Sequence, residues 1–174
     1  MRNHLVIAGI VTTALVLGSS AGASDRSGAN HFKVDLVGFQ EVPAISTTGA
    51  AHLELAIDDA AEMITFVMTM ESLEGGAPTA SHIHLGARGT NGGVSVFFCG
   101  GGGKPPCPAV LPATIEGTIT GADIIGPAGQ GLTTGEFAEL VRAIRAGVTY
   151  ANIHNARFPS GEIRGQINDR DERR

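Results

Sequence analysis

Residues 51–70, AHLELAIDDAAEMITFVMTM, contain two runs in which every second side chain is apolar. A period of two places those side chains on one face of a β-strand. The Asp58-Asp59 pair between the runs is typical of a turn. The stretch therefore predicts two strands that each bury one face. The apolar positions are Leu53, Leu55 and Ile57 in the first run and Ile64, Phe66, Met68 and Met70 in the second.

The same alternation recurs on both sides of this stretch. The 25 glycines and 8 prolines of the 174-residue chain suit many tight connections. We therefore predict an all-β fold, an antiparallel Greek-key sandwich or barrel of about eight strands. The six further strand segments are Phe32–Leu36, Ala80–Leu85, Val94–Phe98, Ile115–Ile119, Val148–His154 and Glu162–Ile167.

One segment has helical periodicity instead. Thr133 followed by Glu136 reads as a capping box, and Gly147 suits a left-handed helix end. We predict one short helix over Glu136–Ala146, closing an end of the barrel. Its apolar face would carry Phe137, Leu140, Val141 and Ile144.

The N-terminal residues resemble a secretory signal. A short basic start precedes the apolar stretch Leu5–Leu17, and Ala21-Gly22-Ala23 suits signal peptidase. The apolar stretch is shorter than the roughly 20 residues that span a bilayer. We therefore predict a secreted or periplasmic protein with no membrane anchor after cleavage. The expected divisions are a signal peptide at 1–23, a flexible segment at 24–30, one β domain at 31–168 and a charged tail at 169–174.

Charge and cysteine content limit the partners and the compartment. The formal net charge is −5, and the basic residues do not cluster except in the tail, where acids interleave with them. Nucleic acid is therefore excluded as an expected partner. The two cysteines, Cys99 and Cys107, are expected to form a disulfide in an oxidising compartment. A free metal-binding thiol pair is the alternative.

Three histidines lie in strands. In Ser81-His82-Ile83-His84-Leu85, the apolar residues claim the core face, so His82 and His84 share the opposite, exposed face. His154 follows the same logic in its own strand. Two imidazoles on one strand with a third from elsewhere could bind copper or zinc. The alternative is that these histidines only hydrogen-bond the loops above them.

Four other polar residues fall on that face and could support the histidines. They are Tyr150, Asn152, Glu162 and Arg164. For Arg164 we favour a structural ion pair with Glu41 or Glu162 over a catalytic role.

Three sequence motifs resemble those of the chordin-type (CHRD) domain family, in the same order, from about Phe32 to Ile167. The motifs are LVGFQEVP at 36–43, ASHIH at 80–84, and YANIHN at 150–155 with FPSGEIRGQ at 158–166. Asn155 departs from the family pattern, in which Thr is common. The resemblance implies a fold similar to the Greek-key barrel of copper–zinc superoxide dismutase, and by that analogy His82, His84 and His154 would form a three-histidine copper site.

The analogy does not extend to a dinuclear centre. Between His84 and His154 the chain contains no histidine, so a bridging ligand is missing. The leading functional prediction is an exported, non-catalytic module that binds a metal ion, with copper favoured over zinc, a protein partner, or both. The alternatives are a mononuclear copper enzyme of superoxide dismutase type and a structural or adhesive protein without metal.

Overall fold

The computed structural model describes residues 30–168. Within this range the chain forms eight strands, one α-helix and three short 3₁₀ turns. The predicted signal peptide, the tail at 169–174 and all of segment 24–30 except Asn30 lie outside the described residues. In chain order the elements are β1 His31–Val37, β2 Ala50–Asp58, β3 Met63–Ser72, β4 Pro78–Leu85, β5 Gly93–Cys99, β6 Ala113–Ile119, α1 Phe137–Arg145, β7 Thr149–Asn155 and β8 Ile163–Ile167, with 3₁₀ turns at Gly38–Gln40, Gly121–Asp123 and Ala128–Gln130.

The strands form one antiparallel sheet in the order β5-β4-β7-β8-β1-β2-β3-β6. The sheet curls into a nearly closed barrel, and the crossovers from β3 to β4 and from β6 to β7 are of Greek-key type. Near the open seam, Ile125 donates its backbone N–H to Ser95 O at 2.9 Å. The predicted all-β fold with about eight strands is confirmed.

The barrel interior is the apolar core. Burial alternates along β1, β2 and β3, as their sequence period predicts, with Leu53, Ile64 and Met68 fully enclosed. Helix α1 buries its predicted apolar face against the same core. None of the helices among residues 30–168 has the length and apolar character needed to cross a membrane.

The helix prediction is confirmed apart from its cap. Helix α1 is one residue shorter at each end than predicted, and Glu136 rather than Thr133 is its N-cap. The Glu136 carboxylate instead accepts the Thr133 N–H at 2.7 Å, which closes the turn before the helix. Gly147 has the predicted left-handed conformation, with φ of 71°. At the helix end, Arg145 pairs with Asp59 at 2.6 Å and fixes the helix to the β2–β3 turn.

Cys99 and Cys107 form the predicted disulfide. The bond closes the glycine-rich loop after β5, and Gly101 of that loop lies directly against the Phe97 ring. The loop thus packs onto a side chain of the strand next to β4.

Candidate metal centre

Strands β4 and β7 bring the three histidines together. In their antiparallel register His82 pairs with Asn152, His84 with Tyr150 and Ala80 with His154. Paired residues project to the same face, so all three rings lie on the side opposite Ile83. One nitrogen from each ring can be chosen so that the three lie within 4.8 Å of one another.

This face is not exposed, contrary to the sequence prediction. His82 retains 6% and His84 8% of its accessible surface. Two loops meet above the strands, where Asn91 Nδ2 donates to Val42 O at 3.2 Å. Period-two alternation assigns a face, but it does not show whether loops cover that face.

Backbone carbonyls fix the orientation of two rings. His84 donates from Nδ1 to Gly92 O at 2.8 Å, and His154 donates from Nδ1 to Pro159 O at 2.9 Å. A carbonyl oxygen only accepts, so Nδ1 carries the hydrogen in both rings. In the neutral rings, Nε2 then carries a lone pair.

Both lone pairs face the same atom. Asn152 Oδ1 lies 3.1 Å from His84 Nε2 and 3.0 Å from His154 Nε2. The Asn152 side-chain amide thus lies between the two Nε2 atoms, within hydrogen-bond distance of both. A bound cation would engage the two Nε2 lone pairs.

His82 completes the cluster from the side. Its ring lies 4.5 Å from the His84 ring and 4.5 Å from the His154 ring, between centroids, and 4.8 Å from that of Phe97. His82 Nδ1 is buried and has no hydrogen-bond partner among residues 30–168. A buried nitrogen without a partner is costly unless a ligand engages it.

The environment keeps the rings neutral. Burial, followed by the charges of His84 and His154, lowers the pKa of His82 to about 3. Burial also lowers the pKa of His84 and of His154. All three rings therefore offer lone pairs at neutral pH, which is the form that binds metals.

Tyr150 and Arg164 extend the cluster as a stack. The Tyr150 ring lies parallel to the His84 ring at 4.6 Å, and the Arg164 guanidinium carbon lies 3.3 Å from the Tyr150 centroid. Arg164 does not form the predicted ion pair with Glu41 or Glu162. Its guanidinium donates instead to Thr90 O at 2.9 Å, and its charge acts on Glu41 only at longer range.

Glu162 does not support the histidines. Its carboxylate accepts from Thr47 Oγ1 at 2.6 Å, from the backbone N–H of Glu74 at 2.7 Å and of Gly75 at 2.9 Å, and from Asn155 Nδ2. Burial raises its pKa, but these hydrogen bonds lower it more, so the pKa ends below its usual value. Glu162 thus connects the β1–β2 loop and the β3–β4 loop through hydrogen bonds and also binds Asn155. It contacts none of the three histidines through these bonds.

Glu41 is the carboxyl group next to the cluster. Burial raises its pKa to about 7, although the charge of Arg164 and the neighbouring Asn152 side chain lower it, and its buried Oε1 has no hydrogen-bond partner among residues 30–168. A Cβ added to Gly161 would lie 2.4 Å from Glu41 Oε1 and 2.9 Å from Asn152 Nδ2. Glycine is therefore required where the chain passes this pair.

Sequence reasoning missed three features of the site. The carbonyls of Gly92 and Pro159 belong to the backbone and leave no side-chain signal. No feature of the sequence distinguishes Phe97 from the other residues of its predicted strand. Glu41 was visible in the LVGFQEVP motif, but its approach to Asn152 depends on a fold of the β1–β2 loop that no local pattern indicates.

The CHRD domain family model matches residues 32–167. No curated protein and no solved structure matches the chain. The matched range begins in β1, ends in β8 and contains all three histidines. The chain belongs to the CHRD domain family.

Proposed function

We propose that this domain is a non-catalytic, exported module that binds one copper or zinc ion through His82, His84 and His154. The observation that carries the proposal is the convergence of one nitrogen from each of the three rings within 4.8 Å, with the Nδ1 atoms of His84 and His154 already donating to carbonyls. Imidazole nitrogen suits both metals. Ligand histidines normally donate their other N–H to a carbonyl or carboxylate, as His84 and His154 do here.

The spacing of the nitrogens is compatible with one shared ion. Metal–nitrogen bonds of about 2 Å place ligand nitrogens roughly 3–4 Å apart. The present limit of 4.8 Å is slightly wider. His82 Nδ1 has no hydrogen-bond partner among residues 30–168, so this nitrogen can turn toward an ion without breaking a hydrogen bond there.

Holding or transferring the ion is favoured over catalysis. A dismutase benefits from a positive channel that steers superoxide to an accessible metal. Here His82 and His84 are buried and the chain has a net charge of −5. A protein partner could accept the ion, and copper is favoured by the resemblance described above.

Export is part of the proposal. The disulfide and the CHRD family membership are consistent with an extracellular or periplasmic location. Mass spectrometry of protein recovered from the exported fraction would test it. We expect an N-terminus at Ser24 and no free thiols, and retention of the N-terminal residues with the cell membrane would contradict it.

The metal proposal is tested by equilibrium dialysis of untagged protein against copper and zinc. We expect one ion per chain, and His154→Ala should weaken binding by more than the ~10–100-fold typical of lost supporting contacts. His52→Ala is the matched control, because this histidine lies on β2 and pairs with Asp35 at the surface. Equal affinities for both variants, or no binding by the wild type, would contradict the proposal. The three histidines would then have a structural role only.

A further inference from the structure

The candidate centre is built from neutral groups. Three imidazoles and the Asn152 amide face the shared point, and neutral carbonyls hold the outer nitrogens of His84 and His154. Among residues 30–168, no ion pair includes any of these three histidines. The charge of a bound ion is therefore not neutralised by its ligands.

A buried cation lies behind the ligands. Arg164 is 1% exposed and takes part in none of the ion pairs of the described chain. Its guanidinium donates to the neutral carbonyls of Thr90 and Ala87, at 2.9 and 3.3 Å. The stack through Tyr150 places this permanent charge on the far side of a ring that lies against His84.

Glu41 can offset this charge but cannot exceed it. Its carboxyl group lies beside the Asn152 side chain and interacts electrostatically with Arg164. When ionised it cancels the charge of Arg164, and when protonated it leaves that charge uncompensated; the charge of Arg88 also acts on Arg164 and adds to the positive side. In both states the surroundings have no net negative charge with which to balance an ion.

The cost of burying an ion rises steeply with its charge. The Born penalty grows with the square of the charge, and repulsion by Arg164 grows in proportion to it. A divalent ion is therefore penalised more than a monovalent one. Of the metals that imidazole binds well, copper is the one with an accessible monovalent state.

We propose that the site selects copper(I) over the divalent ions Zn²⁺ and Cu²⁺ because its donors are neutral and its nearest buried charge, Arg164, is positive. This inference rests on the proposed function, since it names the ion that the same three histidines hold. This set of neutral donors differs from a binding site for a divalent ion in which carboxylates accept the hydrogen bonds of the ligand histidines.

The test compares how one positive charge affects two ions. Affinities for Cu⁺, supplied under ascorbate without oxygen, and for Zn²⁺ are measured by chelator competition on wild type and Arg164→Gln. Because Coulomb energy scales with ion charge, a gain of about threefold for Cu⁺ should accompany a gain of about tenfold for Zn²⁺. Arg164→Lys keeps the charge and should retain the wild-type ratio of the two affinities.

Arg142→Gln is the matched control, because this arginine is 76% exposed on α1 and should leave both affinities unchanged. Equal gains for the two ions, or a larger gain for Cu⁺, would overturn the inference. A wild type that binds neither ion would instead contradict the proposed function.

A second measurement needs no variant, in case Arg164→Gln does not fold. The reduction potential of copper in the wild-type protein reports its preference between the two oxidation states. Selection of Cu⁺ requires a potential above that of the free aqueous copper couple. A lower potential would mean that the site prefers Cu²⁺, and the inference would fail.

Discussion

At the scale of single residues, the site depends on which nitrogen of each ring carries a hydrogen. His84 and His154 are fixed by carbonyls that belong to Gly92 and Pro159. The sequence predicted which side chains share a face, because strand periodicity determines that directly. It could not predict the ring orientations, because those depend on backbone atoms of distant loops.

The lowered pKa of His82 predicts a pH-dependent stability. The unfolded chain binds a proton at His82 below its ordinary pKa of 6.5, whereas the folded chain does so only near pH 3. Stability from this residue is therefore present above pH 6.5 and is lost as the pH falls. The slope is about 1.4 kcal/mol per pH unit for one proton.

Urea unfolding of metal-free protein between pH 6 and 4 measures this effect. The raised pKa of Glu41 acts in the opposite sense, since the folded state keeps its proton below pH 7, so only a comparison isolates His82. We expect His82→Gln to remove about 1.4 kcal/mol per unit from the pH slope. Parallel slopes for the variant and the wild type would show that His82 titrates normally.

Gly161 is a second test at this scale. Its φ of 119° is unfavourable for other residues, and an added Cβ would meet Glu41 and Asn152. We expect Gly161→Ala to destabilise the fold by about 1–3 kcal/mol and to weaken metal binding by displacing Asn152. Gly129→Ala, in open space at an ordinary φ, is the control. A stable Gly161→Ala protein with wild-type affinity would show that the Asn152 position is unimportant.

At the scale of elements, β4 and β7 are the strands on which the site depends, and β5 supports them. The disulfide loop packs against Phe97, and the Phe97 ring packs against His82. The sequence predicted the disulfide, because an oxidising compartment favours pairing of the two cysteines. It did not predict the contact with His82, which depends on β5 lying beside β4.

Replacing Cys99 and Cys107 by serine tests that connection. Opening the loop should cost roughly 2–3 kcal/mol of stability by the loop-entropy estimate. Metal affinity should also fall, because Phe97 loses the loop that holds it against His82. Chemical denaturation and metal competition measure the two effects. A loss of stability with unchanged affinity would indicate that the loop and the centre are independent.

At the scale of the whole molecule, the barrel separates an apolar interior from a polar cluster on its outer side. The interior was predictable, because alternation in β1, β2 and β3 identifies it residue by residue. The burial of the outer side of β7 and β8 was not predictable, because the covering loops have no periodic pattern. Arg164 and Glu162 consequently hydrogen-bond backbone atoms of these loops instead of forming the predicted ion pair.

X-ray absorption at the metal edge, on protein loaded with one ion per chain, tests the central claim most directly. The proposed function predicts about three nitrogen ligands near 2.0 Å, with the outer scattering that imidazole rings produce. His154→Ala should lose one of these rings, whereas His52→Ala should keep all three. A shell of oxygen ligands without imidazole scattering would contradict the assignment of His82, His84 and His154 as the metal centre.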